Sequence, residues 1–240
     1  MNPKEMKKQL QNHFCHRIEL HTHSKPMSNC SSAEPKELVA KYKELGYSAV
    51  TLANHFIYNA GETAEEYVDR FLRDFHEAES EGERLGIKVY LAAELRFTEN
   101  VNDYLLFGVD KQMLIDIYNL LPEGIENFRK AYAMPDSVLV WAHPKRDRMT
   151  PIDPALVDGV ESFNLHSGQF GRIGLTALMA SEHDVKIITA GSDVHSTKGE
   201  GLGVSAIRVN KVPEDSFGLA KVLRDGDYVL EIGRNHIVLP

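Results

Sequence analysis

The chain has 240 residues, of which 42% are hydrophobic and 26% are charged, which excludes a disordered protein and allows a full-sized core. Its formal net charge of −8 argues against a protein that grips long nucleic acid through phosphate contacts. No apolar run approaches the roughly 20 residues that span a bilayer, the first residues lack the apolar segment of a signal peptide, and two cysteines are too few for a disulfide framework. We therefore expect a cytoplasmic protein without a membrane partner.

Strand-like and helix-like segments alternate along the chain. In chain order, β-rich runs predict strands at residues 17–20, 47–53, 87–93, 104–109, 137–142, 159–165, 185–190, 203–209, 228–232 and 236–239. Helical spacing of apolar residues predicts helices at residues 35–46, 63–85, 111–132 with a break near Pro122, and 170–183. This alternation implies parallel strands joined by right-handed crossovers. We predict an α/β fold, with one domain over residues 1–240 that forms a barrel related to the (β/α)8 family.

A histidine or an acid follows six of the predicted strands. His21 and His23 come directly after the first strand, and Asp193 and His195 have the same two-residue spacing after the seventh. Alternate residues of a strand point to one face, so both members of each pair can face inward. Active sites of parallel barrels lie at the carboxyl ends of the strands, where these side chains would surround one cavity. The full set is His21, His23, His55, Glu94, His143, His166, Asp193 and His195.

Six imidazoles and two carboxylates are too many ligands for a single Zn²⁺, which takes about four. The set fits two or three divalent ions that are bridged by a carboxylate and by hydroxide. Because the donors are nitrogen and oxygen without a thiolate, they favour Zn, Mn or Fe. A lone histidine at a strand end is more often structural, but eight such positions after six strands indicate a metal centre.

Several sequence motifs resemble those of the PHP (polymerase and histidinol phosphatase) superfamily, in the expected order and over nearly the whole chain. They are HTHS at residues 21–24 with the following SNCSSAEPKELVAKYKELGY, LANH ending at His55, Glu94, AHPKR around His143, His166, and GSDVH ending at His195. The resemblance implies a distorted TIM-like (β/α)7 barrel and hydrolysis of phosphate esters. It also implies a site for three metal ions, with the eight residues above as ligands.

The chain departs from the family pattern in two places. Asn54 stands where many relatives carry aspartate before the second-motif histidine. Ser28-Asn29-Cys30 stands where many carry Ser-Asp-Gly or a further histidine. The amide oxygen of Asn29 or Asn54 is a candidate ligand without charge, which leaves the occupancy of one metal position open. For Cys30 the alternatives are a ligand, a nucleophile or an incidental loop thiol, of which the last is favoured.

These observations lead to a hypothesis of metal-assisted hydrolysis of a small phosphorylated substrate. A hydroxide that bridges two ions would be the nucleophile, and another ion would act as a Lewis acid. We expect Asp193, His195 and Arg146 to take part in catalysis, with Arg146 holding phosphate oxygens through its guanidinium fork. Weaker candidates for this clamp are Lys25, Arg96, Lys145, Arg172 and the backbone of the glycine-rich run at residues 168–174.

Two kinds of rival function stay open at this point. The nearer kind is also hydrolytic, either a nuclease acting on short oligonucleotides or a metal-dependent amide hydrolase. The other is a non-catalytic metal-binding module, which the retention of all eight candidate ligands disfavours. The sequence names neither the substrate nor the oligomeric state.

Overall fold

A computed structural model describes residues 1–199 and 201–240. The helices are α1 (Pro3–His13), α2 (Pro35–Glu44), α3 (Ala64–Leu85), α4 (Lys111–Leu120), α5 (Gly124–Ala131), α6 (Ile173–Glu182) and α7 (Ser216–Asp225). The strands are β1 (His16–Thr22), β2 (Ala49–Leu52), β3 (His55–Ile57), β4 (Lys88–Arg96), β5 (Tyr104–Phe107), β6 (Val138–Trp141), β7 (Gly159–Asn164), β8 (Ile187–Gly191), β9 (Ser205–Val209), β10 (Val229–Ile232) and β11 (His236–Val238). No helix in these residues is both long and apolar enough to cross a membrane.

All the strands belong to one curled sheet in the order β11-β10-β9-β1-β2-β4-β5-β6-β7-β8, with β3 paired to β4. The segment after β8 returns to β1 through a parallel bridge between Thr22 and Val194. There the His23 backbone N–H donates to the Val194 carbonyl oxygen at 2.9 Å. The result is the α/β, distorted TIM-like barrel that the sequence predicted.

The pairing of strands is less regular than the predicted all-parallel arrangement. Strand β5 is antiparallel to both β4 and β6, and β9, β10 and β11 also pair antiparallel. The loop 97–103 between β4 and β5 is too short for a crossover, so the chain can only turn back as a hairpin. The sequence interpretation also missed α1, β3 and α7. The single domain over residues 1–240 stays a prediction.

Local sequence signals determine where helix α3 begins and ends and which of its faces is buried. Thr63 and Glu66 form a reciprocal capping box at its start, and Gly86 ends it in the left-handed conformation at φ 65°. Between them Val68 and Phe71 belong to a buried apolar stripe that packs towards the sheet. Asp74 lies in the same stretch and is 3% exposed, so α3 carries one buried charge towards the interior.

Gly82→Ala tests the packing of this helix on β4. A Cβ at Gly82 would lie 2.7 Å from the Ile87 carbonyl oxygen and 2.7 Å from Val89 Cγ2. Alanine normally stabilises an exposed helix interior by about 1 kcal/mol over glycine. Here we expect the opposite, a loss of about 1–3 kcal/mol from overpacking, measured by urea unfolding. Glu83→Ala on the exposed face is the control, and a more stable Gly82→Ala protein would contradict the packing described.

Candidate metal centre

Glu94 lies at the centre of the predicted site. It is in β4, directly opposite His55 of β3 in the strand register. One carboxylate oxygen, Oε1, is 3.2 Å from His21 Nε2 and 3.2 Å from His143 Nε2. The other, Oε2, is 2.7 Å from His55 Nδ1 and 3.5 Å from His23 Nε2. One buried carboxylate therefore lies beside four imidazoles that come from three separate segments of the sequence.

Asp193 forms the second centre of the cluster. Its Oδ1 is 3.2 Å from His23 Nε2, 3.6 Å from His21 Nε2 and 3.5 Å from His195 Nδ1. Its backbone has φ 51°, and that of His143 has φ 32°, so both residues adopt left-handed conformations that non-glycine residues rarely take. Such local strain is typical of functional positions, where the surrounding structure holds it in place.

His166 lies at the edge of the cluster. Its ring meets that of His195 edge-on, with 5.4 Å between the centroids, and its Nδ1 accepts the Gly168 backbone N–H at 3.0 Å. Among the described residues, three groups have ligand atoms that all lie within 4.8 Å of one another: His23/His55/His195, His21/His23/Glu94 and His55/Glu94/Asp103. His166 belongs to none of the three. The structure therefore brings seven of the eight predicted side chains into direct contact and places the eighth beside them.

The positions of these nitrogen and oxygen atoms suit the binding of divalent ions better than hydrogen bonding among the side chains. His21 Nε2, His23 Nε2, His55 Nδ1 and Glu94 Oε2 are buried without a hydrogen-bond partner in the described part of the chain. The distances between these imidazole nitrogens and the nearby carboxylate oxygens are 2.7 to 3.6 Å, yet the geometry does not meet that of hydrogen bonds. Buried polar atoms are seldom left unsatisfied, and atoms directed at shared points between them are what metal ligation requires.

The surroundings shift the pKa of these donors in both directions, lowering it for His23 and the two carboxyls and raising it for His21, His55 and His195. Burial lowers the pKa of His23 to about 3, so this imidazole is neutral. Burial opposes ionisation of Glu94 and Asp193, but the surrounding histidines outweigh it and hold the pKa of both carboxyls well below the usual range. For His21 burial is outweighed by Glu161, Asp193 and Glu94, which raise its pKa well above the usual value.

Asp103 is a candidate ligand that sequence reasoning missed. It lies just before β5, and because β5 runs antiparallel, its start is at the same end of the sheet as the ends of β4 and β6. Asp103 Oδ2 is 3.8 Å from His143 Nε2, and the carboxylate also receives a fork of two bonds, at 2.7 and 2.8 Å, from Arg96. The acid precedes its strand, so a search of strand ends alone could not find it.

Two further buried carboxylates hold the ligand-bearing segments in place. Glu161 Oε1 lies 2.9 Å from His21 Nδ1, and its Oε2 accepts the His143 backbone N–H at 3.1 Å. This arrangement turns His21 Nε2 towards the cluster, as carboxylate partners of metal-binding histidines do. Glu19 accepts from the His21 and Ser192 backbones and from Tyr42, which ties β1 to the Asp193 segment. Burial raises the pKa of Glu19 to about 7.

Asn54 belongs to a separate buried network. Its Oδ1 accepts from the Ser24 backbone N–H at 2.7 Å and from Ser28 Oγ at 2.9 Å. Its Nδ2 donates to Ser24 Oγ at 3.0 Å and to Asp74 Oδ2 at 3.2 Å. Both ends of the amide are thus engaged within the protein, and the amide nitrogen stands beside a carboxylate. An amide at position 54 complements Asp74, where an aspartate would repel it.

The predicted cations differ in how close they come to the cluster. Arg146 Nη2 contacts Asp193 Oδ2 and donates to Asn164 Oδ1 at 2.8 Å. Arg96 reaches the cluster through Asp103. Arg172 pairs with Asp147 and donates to the Lys145 carbonyl, and Lys25 pairs with Glu34 in an exposed bridge. In the glycine run, Gly171 packs against the Asn164 backbone, since a Cβ there would lie 2.8 Å from its carbonyl oxygen.

A curled α/β sheet with imidazoles and carboxylates buried at its strand ends defines a metal-dependent hydrolase of the barrel class. The sequence model of the PHP domain matches residues 19–186, well over half of the chain, and the chain belongs to the PHP family. It is accordingly a metal-dependent hydrolase that acts on phosphoester bonds. Among curated proteins, none matches the sequence significantly.

Solved structures resemble the chain in fold. A two-domain Bacteroides vulgatus protein, described as containing a predicted PHP-like metal-dependent phosphoesterase, has a TM-score of 0.61 at 15% identity, covering 91% of this chain and 65% of that one. A Bifidobacterium adolescentis protein, provisionally described as a metal-dependent phosphoesterase, has a TM-score of 0.50 at 20% identity, covering 78% of this chain and 90% of that one. A lesion-specific endonuclease from Pyrococcus furiosus has a TM-score of 0.52 at 15% identity, covering 90% and 57%. This chain therefore spans less than two thirds of the first and third of these proteins.

Asn54→Asp tests the complementarity of Asn54 and Asp74. It removes the Nδ2 donor and sets a second buried carboxylate about 3.2 Å from Asp74. We expect a loss of about 2–4 kcal/mol in the free energy of unfolding. The double variant Asn54→Asp/Asp74→Asn exchanges the amide and the carboxylate between the two positions, and it should recover most of the lost free energy of unfolding. Additive losses in this double-mutant cycle, measured by chemical denaturation, would show that the two side chains are not coupled.

Proposed function

We propose that this chain hydrolyses a small phosphate ester with the help of two or three divalent ions (Zn, Mn or Fe) held at the strand-end cluster. The observation that carries the proposal is the set of four buried donor atoms, on His21, His23, His55 and Glu94, that crowd together without hydrogen bonds among the described residues. Two buried carboxylates, Glu94 and Asp193, each face several imidazoles and would hold ions together with them.

The proposed ligands are the eight predicted residues together with Asp103. In this assignment Glu161 orients His21, and Glu19 keeps β1 in register with the Asp193 segment, so that the ligands meet without rearrangement. When bound, the ions supply Lewis-acid stabilisation of the phosphoryl oxygens and a hydroxide nucleophile near neutral pH. The donor set carries few negative charges for two or three dications, so the loaded site would attract an anionic substrate.

Arg146 is the cation best placed to hold the phosphoryl group. Its guanidinium touches Asp193 and Asn164, and the side chain is 15% exposed, so it stands between the buried cluster and solvent. A planar guanidinium binds phosphate oxygens through two parallel N–H groups, which fixes the orientation of the phosphoryl group as well as its charge. We assign a direct part in the reaction to Arg146, to Asp193, which it contacts, and to His195 beside Asp193.

The space beside the cluster favours a small substrate. A cavity of about 90 Å³ is lined by His166, Ser167, Asp193, His195 and Ser196 among other residues. This volume is far below the roughly 300–1,000 Å³ of pockets that enclose drug-sized ligands. It would admit the head of a substrate and leave the remainder outside. The net charge of −8 also gives long nucleic acid little to bind.

Cleavage of short oligonucleotides is the nearest alternative, and a binding module without turnover is the more distant one. The fold shared with an endonuclease does not favour the first, because a likeness at 15% identity concerns the fold alone. A panel of phosphomonoesters, phosphodiesters and amides, assayed with Zn²⁺, Mn²⁺ and Fe²⁺ added separately, distinguishes them. Turnover of small phosphate esters supports the proposal, whereas turnover of amides alone, or of short oligonucleotides alone when these are added to the panel, would replace it.

His143→Ala and Asp193→Ala test the ligand assignment. Each removes a donor from the cluster, so we expect metal content to fall by about one ion per chain and ester hydrolysis to fall by at least about 100-fold. Metal content is measured by mass spectrometry on gently purified protein, in parallel with the ester assay. His183→Ala, at the exposed carboxyl end of α6, is the matched control. Full metal content and activity in both site variants would exclude this centre.

Arg146→Ala separates phosphate binding from metal binding. We expect the variant to keep its metal ions but to lose about 10²–10³-fold in kcat/KM for the preferred ester, because charge on the transferring group is no longer stabilised. Arg146→Lys should recover only part of this loss, since an ammonium lacks the fork. Arg172→Ala removes a nearby surface guanidinium and should leave kcat/KM within a few-fold. A larger effect at Arg172 than at Arg146 would reverse the assignment.

A further inference from the structure

The buried network around Asn54 reaches the imidazole of His23 through one atom, Ser28 Oγ. This oxygen donates to Asn54 Oδ1 at 2.9 Å, accepts the His55 backbone N–H at 3.0 Å and lies 3.3 Å from His23 Nδ1. The side chains of Ser28 and His23 are both buried, so they depend on their neighbours rather than on bulk water for hydrogen bonds. Only the direction of the bond between Ser28 and His23 is open, because a hydroxyl and an imidazole nitrogen can each donate or accept.

This direction decides whether His23 can bind a metal ion through Nε2, the nitrogen on the cluster side of its ring. A histidine that binds a metal is neutral, with a proton on one nitrogen and a lone pair on the other. If Ser28 donates to Nδ1, the ring proton lies on Nε2 and blocks it as a ligand. If Ser28 accepts from Nδ1, the lone pair of Nε2 is available to an ion.

Asn54 decides the direction, because its side-chain amide fits its surroundings in one orientation only. Oδ1 accepts the Ser24 backbone N–H at 2.7 Å, and Nδ2 lies 3.2 Å from Asp74 Oδ2. The Ser24 hydroxyl and the Met27 backbone N–H also donate to Asp74 Oδ2, so this oxygen is an acceptor. Turning the amide over would set two donors against each other at Ser24 and two acceptors against each other at Asp74. Oδ1 of the amide therefore faces Ser28.

The hydroxyl of Ser28 then has one arrangement that satisfies all its neighbours. Its single proton goes to Asn54 Oδ1, and its two lone pairs receive the His55 N–H and an N–H on His23 Nδ1. If the proton went to His23 instead, the oxygens of Ser28 and Asn54 would face each other at 2.9 Å without a proton between them. Such an unmade hydrogen bond between buried groups is costly.

Two carboxylates on the other side of the ring act in the opposite sense. Glu94 Oε2 and Asp193 Oδ1 lie 3.5 and 3.2 Å from His23 Nε2 and attract a proton to it. Within the described part of the chain, however, Nε2 makes no contact that has the geometry of a hydrogen bond, so a proton there would gain little. On the Nδ1 side a complete set of hydrogen bonds depends on the ring proton, which therefore stays on Nδ1.

We propose that Ser28, with its proton committed to Asn54, is a positioning residue that holds His23 in the tautomer protonated on Nδ1. The lone pair of Nε2 is then ready before an ion arrives, and no proton has to move when the ion binds. The Glu161 carboxylate has the same effect on His21, because it can only accept from Nδ1. At His23 a hydroxyl takes this part without adding a charge. The inference rests on the proposed metal centre.

Nitrogen NMR of protein isotope-labelled at histidine tests the proposal without a metal ion. The metal-free protein is studied at a pH where a free imidazole is neutral, so that protonated and unprotonated ring nitrogens give separate signals. The signals of His23 are identified by their absence in His23→Gln. We expect a proton on Nδ1 and none on Nε2 in the wild-type protein. A proton on Nε2 of His23 would overturn the proposal.

Ser28→Ala removes the acceptor for His23 Nδ1, and Ser31→Ala is the matched control. Ser31 Oγ donates to the His23 carbonyl at 3.0 Å, so it anchors the same loop without touching the imidazole. In Ser28→Ala we expect the proton of His23 to move partly to Nε2, and the affinity for Zn²⁺ to fall by about 10–100-fold. Ser28→Thr keeps the hydroxyl and should retain the tautomer and most of the affinity. Zn²⁺ affinity is measured by competition with a chelator.

The role of Ser28 and the proposed hydrolysis can fail independently. An unchanged tautomer or an unchanged Zn²⁺ affinity in Ser28→Ala would contradict the role of Ser28, as would an equal loss of affinity in Ser31→Ala. The wild-type spectrum remains decisive if Ser28→Ala does not fold. A proton on Nδ1 in a protein that turns over no ester would support the role of Ser28 and reject the hydrolysis. Ester turnover with the proton on Nε2 would do the reverse.

Discussion

The mutual neutralisation of buried acids and imidazoles is the constraint on which the rest of this structure depends. Glu94 and Asp193 are 1% and 2% exposed, and an isolated carboxylate at such depth would be protonated rather than charged. Histidines from several strands hold both carboxyls in the ionised form. Because that balance exists only when the strand ends meet, the charged form of the cluster depends on closure of the barrel.

A second layer of buried acids maintains this geometry without entering the cluster. Glu19 links β1 to the Asp193 segment, and Glu161 links His21 to the backbone of His143. Asp74 on α3 accepts from Asn54, which in turn holds the loop that follows His23. Each joins segments far apart in sequence. The buried polar groups therefore fix the positions of the ligand-bearing segments, while the apolar clusters around them supply most of the buried surface of the fold.

The departures from the family pattern are coupled through this second layer. Ser28 donates to Asn54 and accepts from the backbone of His55, and Asn29 and Cys30 follow Ser28 in the same loop. A change at position 54 therefore alters the loop that carries the second departure as well as the hydrogen bonds of the amide. What looked in the sequence like two separate losses of acidic groups is, in three dimensions, one connected arrangement.

The sequence by itself determined the alternating strands, the barrel class and most members of the cluster, because strand ends and two-residue spacing are local signals. His21 with His23 and Asp193 with His195 were found this way. Only the tertiary structure decided the rest. Asp103 comes before its strand and reaches the cluster because β5 turns back on β4. Glu19, Glu161 and Asp74 lie within their elements. Their partners are tens to more than a hundred residues away, and no local pattern records a contact between such distant segments.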